Sequence, residues 1–189
     1  FGLGPRINAA GRMAHGTLAV ELLVSSSVEE ASLIAKKINE NNVWRRDVDA
    51  DITNEALTLI AEDPVLQKSK STVLYNESWH KGVIGIVASR CIEKYYRPTI
   101  VLTKSDGLIT GSARSIKHFD IYDAIDASSH LLEHFGGHTY AAGLALKPEN
   151  LDSFIKEFEE YAVERLTDEM MIPEIEIDEE LYISDINFK

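Results

Sequence analysis

The sequence predicts an α/β fold: a central mixed sheet flanked by helices and preceded by a long connecting helix. Three observations predict it. After Asp63-Pro64, short apolar, β-branched runs alternate with helix-period segments, the pattern of an α/β unit. Ahead of that point, residues 28–61 contain neither proline nor glycine. Near the end, residues 148–166 set Leu151, Phe154, Ile155, Phe158, Ala162 and Leu166 on one helical face, with proline in the first turn.

In chain order, residues 17–24 (TLAVELLV) suit a short helix, and Ser25, Ser26 and Ser27 offer capping hydroxyls for the next one. That second helix runs over 28–61. Its apolar stripe takes in Ala31, Ile34, Ile38, Val48, Ile52 and Leu59, with Asn41, Asn42, Arg45 and Arg46 interrupting it. At about 1.5 Å per residue it spans ~50 Å, too long for the core of one compact domain, so it reads as a link between two lobes. Candidate strands are 71–76, 99–104, 108–113 and 141–147, with helices near 83–95 and 121–134 between them. The predicted organisation is therefore the end of an N-terminal lobe (1–27), a connecting helix (28–65), an α/β domain (66–168) and a linker (169–189).

With 44% hydrophobic and 26% charged residues the chain can bury a sizeable core. No apolar run approaches the ~20 residues that cross a bilayer, so no membrane association and a cytoplasmic location are expected. The single cysteine, Cys91, excludes an internal disulfide framework, and its neighbours Val87, Ala88 and Ile92 predict that it is buried. Phe1 in place of methionine, and the alternation of apolar and acidic residues over 174–187, predict a piece of a longer protein that ends as it enters a new strand. A net charge of −12 argues against nucleic acid as partner, but the acidity is local. Residues 149–189 hold 14 acidic against 3 basic residues, a net of −11, which leaves 1–148 at −1.

Four segments combine glycine with polar groups at predicted strand ends or helix starts. Trp79-His80-Lys81-Gly82 joins a strand to a helix N-terminus, where free N–H groups favour an anion, Lys81 adds charge and Trp79 offers a stacking face. The plain reading is a turn with an exposed lysine and a packed tryptophan. In Gly111-Ser112-Ala113-Arg114-Ser115, strand alternation puts Ser112 and Arg114 on one side, where hydroxyl and guanidinium can share a phosphate; the plain reading is a solvated strand end. In Gly136-Gly137-His138, bare backbone permits close approach of a ligand, and His138 is either a phosphate contact and assisting proton donor or a histidine satisfied by carbonyls. Arg6, Asn8 and Arg12 suggest a polar loop that grips phosphates, or arginines that pair with carboxylates elsewhere. Walker, dinucleotide-fingerprint, nucleophile-elbow and His-Glu-x-x-His motifs are absent. His130 and His134 stand four apart on a predicted helix without a third ligand, so no metal site is expected.

The ordered set PRINAAGRM (5–13), WHKGVIGIVASR (79–90), GSARS (111–115) and GGHTYAAG (136–143) resembles the C-terminal half of the DHH family of phosphoesterases. Within that family it is most similar to the branch of single-strand-specific 5′-to-3′ DNA exonucleases of DNA repair and recombination. The resemblance implies an N-terminal lobe, before Phe1, whose aspartates and histidines hold manganese or magnesium, and a following OB-fold domain. It assigns substrate grip to the DHH-associated lobe: Ser112, Arg114 and Ser115 on phosphates, Gly136, Gly137 and His138 across the cleft from the metals. Arg6, Asn8 and Arg12 fall near the junction, and Trp79, His80 and Gly82 along the bound strand. No catalytic residue other than an assisting His138, and no metal ligand, is implied for these 189 residues. The implied partners are single-stranded DNA and a single-strand-binding protein or helicase. Ala113 departs from the family's frequent Gly-Ser-Gly-Arg-Ser, a small change that preserves the fork. Two other readings stay open: an enzyme of the same superfamily acting on oligoribonucleotides or cyclic dinucleotides, and a non-catalytic single-strand-binding relative.

Overall fold

The structure, a computed structural model, describes residues 2–175, 177–183 and 186. Its first element is helix α1 (Leu3–Met13), where the sequence suggested a polar loop. Pro5 falls in the first turn, where its missing N–H leaves no helix bond unmade. One side of α1 buries Ala10 against Ala19 and Ile38, with Ile7, Leu18, Leu22 and Ile34 around them. Helix α2 (Thr17–Val24) supplies Leu18, Ala19 and Leu22 to that cluster.

Ser27 then starts the longest element, α3 (Val28–Glu62), by accepting the Glu30 N–H at 3.2 Å, while Glu29 and Glu30 meet the positive end of the helix dipole. Asp63 stops it and caps the short α4 (Pro64–Lys68), accepting N–H groups of Val65 and Leu66 at 2.7 and 3.3 Å. The buried face of α3 differs from the predicted stripe at its end. Ile52, Ala56 and Ile60 recur every four residues and face inward, which leaves Leu59 40% exposed. The polar interruption is used rather than avoided: Asn42 and Asp49 are buried, with Arg45 in contact with both.

The sheet comprises β1 (Thr72–Tyr75), β2 (Thr99–Ser105), β3 (Leu108–Arg114), β4 (Leu132–His138) and β5 (Ala141–Leu146), in the order β1-β2-β3-β5-β4. β1 and β2 are parallel and joined by helix α5 (Ile84–Tyr95); every other pair is antiparallel, so the sheet is mixed as predicted. Asp106 and Gly107, at φ 54° and 82°, make the two-residue turn between β2 and β3, as expected for Asp-Gly in a hairpin. Strand alternation divides the core in two. Val73, Ile100, Leu102, Ile109, Ala113, Ala142, Leu144 and Leu146 pack on helices α6 (Ile121–Ala127) and α7 (Leu151–Arg165), against Ile125, Phe154 and Phe158. Leu74 and Val101 face the other way, onto Val83, Val87, Ala88 and Cys91 around α5 and onto Ile52, Ala56 and Ile60 of α3. Burial pushes the Cys91 thiol up to about 11.

Helix α5 packs chiefly on β2 and β3. On that side of the sheet, β5 and β4 stay open: Gly143, Gly136 and His138 are exposed and Ala141 is half-buried.

The helix predicted over 121–134 ends at Ala127, and after a 3-10 turn (Ser129–Leu131) the chain enters β4. Gly136, Gly137 and His138 therefore lie within an edge strand rather than just after a helix. His130 and His134 do not share a helix; His130 sits in the 3-10 turn, 3.4 Å from Glu157, and His134 is on β4. The closing helix begins with a 3-10 turn (Pro148–Asn150) before α7. In the tail, residues 172–175 and 177–182 form no strand; the remainder of the strand entry expected over 174–187 falls largely on 176, 184, 185 and 187, outside the described residues.

Candidate anion-binding site

Along β3, Ile109 and Ala113 face the α6–α7 core, so Ser112 and Arg114 turn toward α5, as alternation predicts. Arg114 Nη1 donates to Ser112 Oγ at 3.0 Å and to the Ala113 carbonyl at 2.7 Å. Gly85, in the first turn of α5, closes on the pair: a Cβ there would lie 2.8 Å from both Ser112 Oγ and Arg114 Nη2. Among the described residues no side chain caps this helix, whose N-cap residue is Val83. A hydroxyl, a guanidinium and the uncapped positive end of a helix thus converge on one spot.

Burial, and then the neighbouring Arg12 cation, hold the Arg114 pKa below its usual value. Arg12 donates to the Gly82 carbonyl at 3.1 Å. The two backbones meet so closely that a Cβ on Gly82 would lie 2.1 Å from the Arg12 carbonyl oxygen, so glycine is needed where α1 docks on the β1–α5 turn. Among the described residues neither Arg12 nor Arg114 has a carboxylate partner. Two adjacent cations without a counter-charge make the place favourable for an anion.

Register extends the site across the open part of the sheet. Arg114 pairs with Ala141 and Ala141 with His138; Ser112 pairs with Gly143 and Gly143 with Gly136. Residues opposite one another share a face, so His138 lies two strands, about 10 Å, from Arg114, across a floor of alanine and glycine. His138 Nδ1 accepts the Tyr140 N–H at 3.3 Å, which leaves the proton of the neutral ring on Nε2 as a donor. Gly137 points the other way and abuts β5, where a Cβ would lie 2.3 Å from the Ala141 carbonyl oxygen.

The other predicted residues are placed differently. Trp79 is 4% exposed and its indole N–H donates to Glu55 at 2.9 Å, so it packs in the core and offers no stacking face. The exposed tryptophan is Trp44 of α3, whose ring meets His80 edge-on at 5.6 Å. His80 Nδ1 accepts the Gly82 N–H at 3.0 Å and holds the turn. Lys81 reaches Ser105 and Asp106, at 3.1 and 3.6 Å. Ser115 donates its hydroxyl proton to the Phe119 carbonyl at 2.6 Å, closing the loop after β3. Arg6 donates to Asn39 at 3.0 Å and to the Gly2 carbonyl at 2.6 Å. Asn8 and Arg12 line a cavity of about 220 Å³ with Pro5, Arg45 and Ile86. Sequence reasoning did not single out Gly85, Arg45 or Trp44 as site residues. The one available signal was the second glycine of Gly82-Val-Ile-Gly85, unexpected inside a helix.

Among the described residues no group of three or more His, Cys, Asp or Glu is placed to hold a metal ion. No described helix is long and apolar enough to cross a membrane.

The DHHA1 domain family's model matches residues 67–164, and the chain belongs to that family. Within it, the particular proteins the chain is similar to are RecJ nucleases. It is 37% identical over 188 residues to the single-stranded-DNA-specific exonuclease RecJ of Bacillus subtilis (strain 168), a match covering 98% of this chain and 24% of that protein. RecJ of Escherichia coli (strain K12) is 35% identical over 185 residues, 93% of this chain and 32% of its own length. The crystal structure of RecJ from Thermus thermophilus in complex with Mg²⁺ superposes with a TM-score of 0.78 at 31% identity, covering 87% of this chain and 25% of that one. The chain thus spans about a quarter to a third of the length of these relatives.

Proposed function

We propose that this chain is the strand-binding part of a RecJ-like 5′-to-3′ single-stranded DNA exonuclease that works in DNA repair and recombination in the cytoplasm. The observation that carries the reading is the convergence of Ser112, Arg114 and the uncapped start of α5 at the edge of a bare sheet floor. Arg114 and Ser112 hold one phosphate, with Arg12 as the neighbouring cation. The Ala141 and Gly143 floor lets the sugar-phosphate backbone approach the sheet, and His138 donates its Nε2 proton to a phosphate oxygen at the far side. In this reading residues 1–27 close an N-terminal lobe, 28–65 form the connecting helix, 66–168 the binding domain and 169–189 a linker to an OB-fold domain.

Magnesium or manganese, when bound, activates water and stabilises an in-line displacement. The described residues do not fit such ions, and in this reading the ligands belong to the N-terminal lobe. Single-stranded DNA is the substrate, and a single-strand-binding protein or a helicase is the expected partner. The test uses manganese and 5′-phosphorylated single-stranded DNA. The longer protein that carries this chain should degrade the strand from its 5′ end, and the 189-residue chain should bind it without cleavage. Robust hydrolysis by the chain alone, or preference of the longer protein for oligoribonucleotides, would overturn the assignment.

A further inference from the structure

A larger cavity opens beside the one lined by Asn8, Arg12 and Arg45. It encloses about 400 Å³ between α3 and α5, and Arg45, Arg46, Asp49, Thr53, Asn54 and Arg90 line it. Three guanidinium groups face one lining carboxylate. Asp49 is 4% exposed, accepts the Thr53 hydroxyl at 3.4 Å and stands 3.7 Å from Arg45 and 3.5 Å from Arg90. It holds an arginine from each helix at the cavity wall. Glu93, at the outer edge, lies 4.0 Å from Arg90. Arg46 is exposed and has no hydrogen bond or ion pair among the described residues, and Arg45 Nε is buried without a partner. Positive charge therefore remains over in a concave site, within a chain whose overall charge is −12.

The two cavities share Arg45, and Arg12, which lines the smaller one, reaches the β1–α5 turn at Gly82, three residues before the Gly85 that abuts Arg114. Arg114, Arg12, Arg45, Arg46 and Arg90 thus form a continuous series. Among the described residues no aromatic side chain lines either cavity, so the series suits a backbone of phosphates rather than bases.

We propose that the Arg45–Arg46–Arg90 groove is a second phosphate-binding site, which takes phosphodiesters of a single strand whose first phosphate sits at Ser112 and Arg114. This inference rests on the function proposed above. The groove sets the length of strand the protein grips and is indifferent to its sequence.

The test measures affinity of the chain for a 5′-phosphorylated dinucleotide and for a strand of about ten nucleotides, within the range of single-strand site sizes. Arg46→Gln and Arg46→Glu should leave the dinucleotide affinity unchanged. They should weaken the longer strand, the glutamine variant by about tenfold for one charge-assisted contact and the glutamate variant by more. The salt slope for the longer strand should fall by about 0.7 for each phosphate no longer neutralised. Arg46 has no partner among the described residues, so melting of both variants should match the parent, which a thermal melt checks. Arg114→Ala should weaken both lengths. Equal affinity of the Arg46 variants for the longer strand, or equal weakening at both lengths, overturns the groove while an effective Arg114→Ala leaves the proposed function standing. Unchanged binding by Arg114→Ala overturns the proposed function itself.

Discussion

Replacing Arg114 with alanine removes the group on which the anion site is built. Its Nη1 is occupied by Ser112 Oγ and the Ala113 carbonyl, which leaves Nε and Nη2 to meet a phosphate as a planar fork. One such charge-assisted contact contributes roughly 1–3 kcal/mol, about five- to 150-fold in Kd. Stability should change by less than about 1 kcal/mol, because Arg114 has no carboxylate partner among the described residues to orphan and its removal relieves the repulsion with Arg12. Arg114→Lys should not restore binding, since an ammonium lacks the fork. Gly85→Ala gives an independent signature. Its methyl would stand 2.8 Å from the ends of the Ser112 and Arg114 side chains, which can swing aside. Helix propensity favours alanine by about 1 kcal/mol, so this variant should fold at least as stably while binding less well. Fluorescence anisotropy with a 5′-phosphorylated single strand, repeated over a range of salt, reads both effects. An Arg114→Ala protein that binds with the parent's affinity refutes the phosphate-fork argument.

Three further outcomes follow from the fold. Gly82→Ala sets a methyl 2.1 Å from the Arg12 carbonyl oxygen, a backbone atom, and should cost about 1–3 kcal/mol in urea unfolding. Phe158→Ala empties a fully buried site between α7 and the sheet and should cost about 3–5 kcal/mol by the same measurement. Asp120 caps α6: burial raises its pKa, but bonds from Thr139, Asp123 and Tyr122 and the charge of His138 outweigh that and hold it below the usual value. A lowered carboxylate pKa stabilises the fold above the ordinary carboxylate range and stops doing so as pH falls through the lowered value. Asp120→Ala should therefore cost about 1 kcal/mol near neutral pH, and the difference from the parent should shrink on acidification; a pH-independent difference would refute the charge argument.

The sequence was informative where a local rule decides the outcome. The run without proline or glycine, closed by Ser27 and Asp63, set α3 to within a residue, and strand period alone put Ser112 and Arg114 on one side. What escaped was set by packing between segments distant in the chain. Leu132 to His138 reads poorly as a strand because an edge strand with a solvent-facing side needs no apolar alternation, and two glycines weaken it further. Trp79 reads as a stacking face because its partner, Glu55, comes from a helix 24 residues earlier. Gly85 and Arg45 gained meaning only when α5 packed on β3 and α1 packed on α3. Ala141 and Gly143 proved to be the floor of an open sheet face, while Ala142 between them faces the core, a division that β-sheet register reveals and composition does not.

The most direct test of the central claim is amide chemical-shift mapping of this chain titrated with a 5′-phosphorylated single-stranded oligonucleotide. The saturable shifts should centre on Gly85, Ser112, Arg114, Gly136 and His138, at the start of α5, the end of β3 and the open face of β5 and β4. Shifts confined to α6 and α7 on the opposite face, or no shift with a bound strand, would contradict the claim.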